Sequence, residues 1–240
     1  MSNAIEIKKL RKEFGAKTAV EDLELTVREG EVFAFLGVNG AGKTTTIRML
    51  TGLTEPTSGD AMVKGHSILT ELEEVKKAGN ISPQETAVAP NLTVRENLEF
   101  IAGIYGYAKE DRKRRADEII TALELEEVRD SKAKTLSGGW QRKVSIAMAL
   151  ITEPEVLYLD EPTLGLDVLA RRELWKVIRS LRGKATIILT THYMEEAEEL
   201  SDRIAIMVKG RLAALGTLAE LREQTGKEKL EDIFISIVEG

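Results

Sequence analysis

The unbroken apolar run Val32-Phe-Ala-Phe-Leu36 empties directly into Gly37-Val-Asn-Gly-Ala-Gly-Lys-Thr44. A run of this kind reads as a buried strand, and the glycine-rich loop at its end reads as a cradle for phosphate. Gly37, Gly40 and Gly42 let the backbone curl until successive amide N–H groups face inward, with Lys43 and Thr44 where a helix begins. The helix N-terminus contributes about half a positive charge, the amides donate hydrogen bonds, and the Lys43 ammonium adds a full charge near the outer phosphates. A polyphosphate is the ligand such a loop fits, and Thr44 offers a hydroxyl to a magnesium ion.

Bulk properties narrow the class. The 240 residues are 42% hydrophobic, ample for a core of one or two domains. The longest mostly apolar stretch, Val144 to Ile151, falls far short of the ~20 residues that cross a bilayer. No cysteine is present, which points to the cytoplasm and away from a disulfide-stapled module. A net charge of −6 disfavours nucleic acid as a partner. The basic run Lys109 to Arg115 reads as the solvated face of a helix.

Along the chain, Ala4-Ile-Glu-Ile7 and Leu23-Glu-Leu-Thr-Val27 alternate apolar and polar residues, the period of strands with one wet face, so a small antiparallel sheet is expected at 1–30. The strands at Val32, Val156 to Leu159 and Thr186 to Leu189 are apolar throughout, as parallel strands covered on both faces are. These place a catalytic core in 31–84 and 151–215. Between them, over 85–150, apolar residues recur at helical spacing in Leu98, Ile101, Ala102 and Tyr105, and in Ile119, Ile120 and Leu123. A hairpin turning at Lys209-Gly210 and a helix capped by Thr217 are expected before a short helical region at 216–240.

Two further motifs carry chemistry. Leu157-Tyr-Leu-Asp160-Glu161-Pro162 sets two acids at the C-terminal end of a buried strand, the edge where open α/β sheets collect ligands. Asp160 is placed to hold magnesium and Glu161 to face an attacking water. Leu136-Ser137-Gly138-Gly139-Trp140 supplies a hydroxyl and exposed amides just before a helix, a second anion site.

With these motifs in this order, the chain resembles the nucleotide-binding subunit of an ABC transporter over nearly its whole length. The resemblance implies an α/β fold: a P-loop NTPase (RecA-like) parallel-sheet core, an N-terminal antiparallel β subdomain and a helical subdomain peculiar to ABC proteins. The Walker A loop is then Gly37, Val38, Asn39, Gly40, Ala41, Gly42, Lys43 and Thr44, with Thr45 beside it, and Phe14 is the aromatic that stacks on adenine. Gln84 corresponds to the Q-loop glutamine, joining Thr44 and Asp160 around magnesium; Glu161 is the base and His192 the switch histidine. The signature Ser137, Gly138 and Gly139 and the D-loop Asp167 are implied to reach the nucleotide of a second subunit, because family members pair head to tail around two ATP. The sequence departs from the family at Trp140, where a glutamine is usual, and at Phe14, where tyrosine is commoner; neither change removes a phosphate contact.

The same resemblance implies ATP and Mg2+ as ligands, a homodimer or heterodimer, and a separate membrane permease docked on the helical insertion. That makes the protein cytoplasmic and peripheral to the inner face of the membrane. The compact region after the hairpin resembles the ATPases of bacterial export systems. A soluble ATPase of the same type acting on nucleic acid or ribosomes is the alternative, and the chain lacks the long coiled coils or second cassette such relatives carry.

Overall fold

The computed structural model describes residues 2–239. Two sheets organise it. The first is antiparallel, in the order β2 (Lys17–Arg28), β1 (Asn3–Phe14), β4 (Ser58–Val63), β5 (His66–Ser67). Its β1–β2 hairpin is the one the alternating pattern predicts, with Ile5 opposite Val27 and Ile7 opposite Leu25. The segment 58–67, expected within the catalytic core, instead completes this sheet against β1, where Ile5 meets Val63 and Ile7 meets Ala61. The reason is close packing: a Cβ at Gly59 would stand 2.1 Å from the Lys9 carbonyl oxygen, so glycine lets β4 approach a bulged β1.

The second sheet has six strands in the order β10 (Arg211–Gly216), β9 (Arg203–Val208), β3 (Val32–Leu36), β8 (Thr186–Thr191), β7 (Val156–Asp160), β6 (Gly79–Ser82). All neighbours run parallel except the β9–β10 hairpin, which turns at Lys209-Gly210 as predicted. Both faces are covered. Val32, Ala34 and Leu36 point into one apolar cluster with the helices of the middle of the chain, while Phe33 and Phe35 point into a second with the antiparallel sheet. Burying each of those phenylalanines contributes about 1.5–3 kcal/mol. The central strand β3 is thereby fixed between β8 and β9, and the loops leaving the C-terminal ends of β3, β7 and β8 meet at one edge.

Four helices pack on the core: α1 (Lys43–Leu50), α2 (Leu72–Ala78), α6 (Val168–Ser180) and α7 (Met194–Leu200). The middle of the chain is helical as expected, with α3 (Val94–Ile104), α4 (Lys109–Ala122) and α5 (Gly138–Leu150). Thr93 starts α3 with a reciprocal capping box to Glu96. Leu98, Ala102, Ile119, Ile120 and Leu123 are buried, whereas Tyr105 is 48% exposed at the end of α3. The basic run on α4 is not wholly wet: Arg115 is buried, bonding Glu118, Glu153 and the Ile151 carbonyl, because its turn of the helix faces the end of α5. The chain closes with α8 (Leu218–Thr225), capped by Thr217 as predicted, and α9 (Leu230–Glu239).

Candidate functional site

The glycine-rich loop turns between β3 and α1 and is tightly packed at Gly37 and Gly42. A Cβ on Gly37 would meet the Met207 carbonyl oxygen at 2.6 Å, and Gly42, at φ 104°, would bring one within 2.6 Å of the Ala19 carbonyl oxygen. Gly40 also has positive φ but faces open space, so there the need is conformational only. A cleft of about 360 Å³ opens over the loop, lined by Asn39 to Thr45 together with Phe14, Lys17, Ala19, Gln84 and Glu161.

Lys43 is buried, and its ammonium donates to the carbonyl oxygens of Gly37 at 2.7 Å and Val38 at 3.3 Å. Neither residue lines the cleft, Gly37 being buried and Val38 exposed, and their carbonyls hold the lysine in place. Its third neighbour is Glu161, with Oε1 at 3.4 Å. Burial pulls the Lys43 pKa down from its ordinary value, and the Glu161 carboxylate works against that pull. Glu161 itself adopts φ 47°, an unusual angle for a non-glycine residue, and its other oxygen lies 3.1 Å from His192 Nδ1. The Glu161 carboxylate is thus held between a lysine and a histidine.

One residue earlier, Asp160 ends β7. Its Oδ1 accepts from Thr44 Oγ1 at 3.0 Å and from Thr190 Oγ1 at 2.5 Å. Thr190 and Thr191 are the last residues of β8 rather than a loop after it, so only His192 projects beyond the strand. The Thr44 hydroxyl and the Asp160 carboxylate, with Gln84 lining the same cleft as Thr44, offer oxygen donors of the kind magnesium takes. Among the described residues no group of three His, Cys, Asp or Glu could hold a metal ion by itself.

Phe14 is 54% exposed on the far rim, with the Lys12 ammonium 5.0 Å from its ring centroid. Ser137, Gly138 and Gly139 lie outside this cleft. Ser137 caps α5, and the signature backs onto its own chain, since a Cβ on Gly139 would stand 3.0 Å from Ala170 Cβ. Asp167 is exposed and caps α6, accepting from the amides of Leu169 and Ala170 at 2.9 and 3.0 Å. Gln141, displaced one place by Trp140, spends its side-chain amide on the carbonyls of Ala133 and Leu136, bracing the signature loop. Lys17, Ala19 and Thr190 escaped the sequence reading. For Lys17 a signal existed, since a lysine three residues past Phe14 across a glycine turn shares its rim.

A family model described as ABC transporter matches residues 20–164. The chain belongs to that family. It is an ATP-binding cassette, 40% identical over 230 residues to the daunorubicin/doxorubicin resistance ATP-binding protein DrrA of Streptomyces peucetius, a match that covers 95% of this chain and 70% of that protein. It is also 42% identical over 226 residues to the phospholipid-transporting ATPase ABCA3 of Homo sapiens, covering 92% of this chain. That match takes in 13% of ABCA3, so the cassette spans a small part of this relative's length. Among solved structures, an ATP-binding subunit of an ABC transporter superimposes with a TM-score of 0.85 at 32% identity, covering 98% of this chain and 99% of the other. A dimeric ATP-binding cassette in a post-hydrolysis state, bound to ADP and Pi, superimposes at 0.79 and 27% identity over 89% of this chain and 98% of its own. The fold is accordingly the P-loop NTPase fold of ABC cassettes.

Proposed function

We propose that this cassette hydrolyses ATP as a head-to-tail dimer and uses the cycle to drive a separate membrane permease in the direction of export. The observation that carries the reading is the convergence of Lys43, Thr44, Asp160, Glu161 and His192 at one edge of the parallel sheet. The loop amides and Lys43 bind and orient the phosphates, with Phe14 against the adenine. Glu161, held on the protein side by Lys43 and His192, orients and polarises the attacking water, and His192 carries hydrogen-bonding capacity toward the transferring group. Thr44, Asp160 and Gln84 would hold Mg2+. When bound, that ion neutralises charge building on the phosphate oxygens.

Head-to-tail pairing accounts for the signature. Ser137, Gly138 and Gly139 lie outside their own cleft, and in a head-to-tail pair a second subunit brings such an anion site over the first subunit's nucleotide. The dimeric cassette bound to ADP and Pi supports pairing of two subunits. Asp167 would lie at the same junction.

The permease rests on similarity to the drug-resistance ATP-binding protein; among the described residues no helix is long and apolar enough to cross a membrane. A groove of about 530 Å³, between Leu50, Leu53 and Val75 on the core side and Tyr105 and Tyr107 on the helical side, is where we place its docking segment. Tyr158 lines it with a buried hydroxyl that has no hydrogen-bond partner among the described residues. Docking there makes the protein cytoplasmic and peripheral to the inner membrane face. Export rests on similarity to the drug-resistance relative.

The test is phosphate release from ATP and magnesium by the purified chain. Glu161→Gln should cut turnover by about 100-fold or more, the scale of losing a positioned base, while nucleotide binds at least as tightly as to the unaltered protein. Unchanged turnover would overturn the base assignment.

A further inference from the structure

Arg142 sits one turn into α5 and is only 5% exposed, and its hydrogen bonds go to main-chain carbonyls rather than to a carboxylate. An arginine keeps its charge when buried, so its donors need partners. They find two consecutive main-chain carbonyls: Nη1 donates to Pro83 at 2.7 Å and Nη2 to Gln84 at 2.5 Å. Burial disfavours the charge, and the negative charges of Asp160 and Glu196 offset part of that penalty from a distance.

A planar fork on two successive carbonyls fixes the tilt of the peptide between them, which a single point contact does not. The residue whose backbone is fixed is Gln84, exposed and on the wall of the nucleotide cleft. A second link lies beside the first, because Ser145, three residues further along α5, meets Ser82 through a buried hydroxyl pair at 2.9 Å. Residues 82–84 and α5 are thus one bonded unit. The N-terminal end of that unit is Ser137 to Gly139.

We propose that Arg142 is a positioning residue: it sets Gln84 against the cleft and ties that placement to the orientation of the signature helix. The proposal rests on the reading of Gln84 as a metal-side residue and of the signature as a contact to a second nucleotide. One bonded unit then presents Gln84 to the nucleotide of its own chain and the signature to the nucleotide of the other.

The experiment uses Mn2+ in place of magnesium with a non-hydrolysable ATP analogue, reading bound metal by electron paramagnetic resonance. Arg142→Met should weaken Mn2+ about tenfold, close to the effect of Gln84→Ala, as losing a residue that orients a ligand does. Without metal, the analogue should bind within about twofold of wild type, since the Walker A loop is untouched. Arg142→Lys, which restores charge but not the fork, should fall between, and it carries the test if the methionine variant does not fold. Ser145→Ala breaks the neighbouring link between the same elements and should leave Mn2+ affinity unchanged. Wild-type Mn2+ affinity in both Arg142 variants, or an equal loss in Ser145→Ala, would overturn the positioning role. A Gln84→Ala protein with unaltered Mn2+ affinity would instead bring down the Gln84 reading, and this inference with it.

Discussion

Glu161 Oε1 lies 3.4 Å from the Lys43 ammonium, and both side chains are buried. The same lysine is the charge a phosphate needs, so an incoming nucleotide competes with the carboxylate for it. Taking the carboxylate's charge away frees the lysine. Glu161→Gln should therefore tighten ADP binding, by roughly threefold to tenfold, the size expected of a pair whose attraction is partly offset by desolvation. Titration with a fluorescent ADP analogue measures it, and weaker binding would contradict a competing role.

Thr190 is fully buried, donates to Asp160 at 2.5 Å and accepts from the Glu161 amide at 3.0 Å. Thr190→Val keeps the shape and strips both bonds. We expect a loss of about 1–3 kcal/mol in urea unfolding, the cost of leaving buried polar groups unpaired. A change below about 0.5 kcal/mol would mean that Asp160 and the amide find other partners.

The loop glycines are not equivalent. Gly42→Ala meets both a strained φ and the Ala19 carbonyl at 2.6 Å, whereas Gly40→Ala meets strain alone. Nucleotide affinity should collapse in the first, and fall by about tenfold or less in the second, whose strain is on the order of 1 kcal/mol. Equal losses would show that packing around Gly42 is not what shapes the loop.

Glu196 is wholly buried, with Oε1 accepting from Thr163 at 2.7 Å and from the Trp175 indole at 3.0 Å, and Oε2 without a partner among the described residues. It ties the turn after Glu161 to α6 and α7. Burial pushes its pKa above the ordinary 4.5. The folded protein then holds this proton more tightly than the unfolded chain, so stability from this group falls as pH rises from about 4.5 through the raised value. Glu196→Gln keeps an acceptor for both donors and removes the titration. Its melting temperature should gain on wild type as pH rises above about 4.5; parallel curves would contradict a buried charge at this position.

The features legible in the sequence are those whose physics is local. A strand buried on both faces must be apolar at every position, as β3, β7 and β8 largely are, and the phosphate loop needs glycines at fixed spacing. The features that stayed hidden depend on distant partners. Nothing in Ser-Gly-Asp-Ala-Met-Val at 58–63 announces an antiparallel strand, because its pairing and the need for Gly59 come from a bulge in β1 some fifty residues earlier. Arg115 and Arg142 look like wet helix positions for the same reason: a charge run or a lone arginine carries no mark of the carbonyls it will meet after folding. The acids Asp160 and Glu161 were legible by motif, but the grip of Lys43, Thr190 and His192 on them was not.

The head-to-tail dimer is the claim on which the roles of Ser137, Gly138, Gly139 and Asp167 all depend. The most direct measurement is the mass of the Glu161→Gln protein by light scattering, with and without excess magnesium-free ATP. A doubling of mass on adding ATP, abolished by Ser137→Arg at the signature, is the predicted result. A mass that stays at the monomer while ATP binding is confirmed by titration would contradict the nucleotide-bridged dimer.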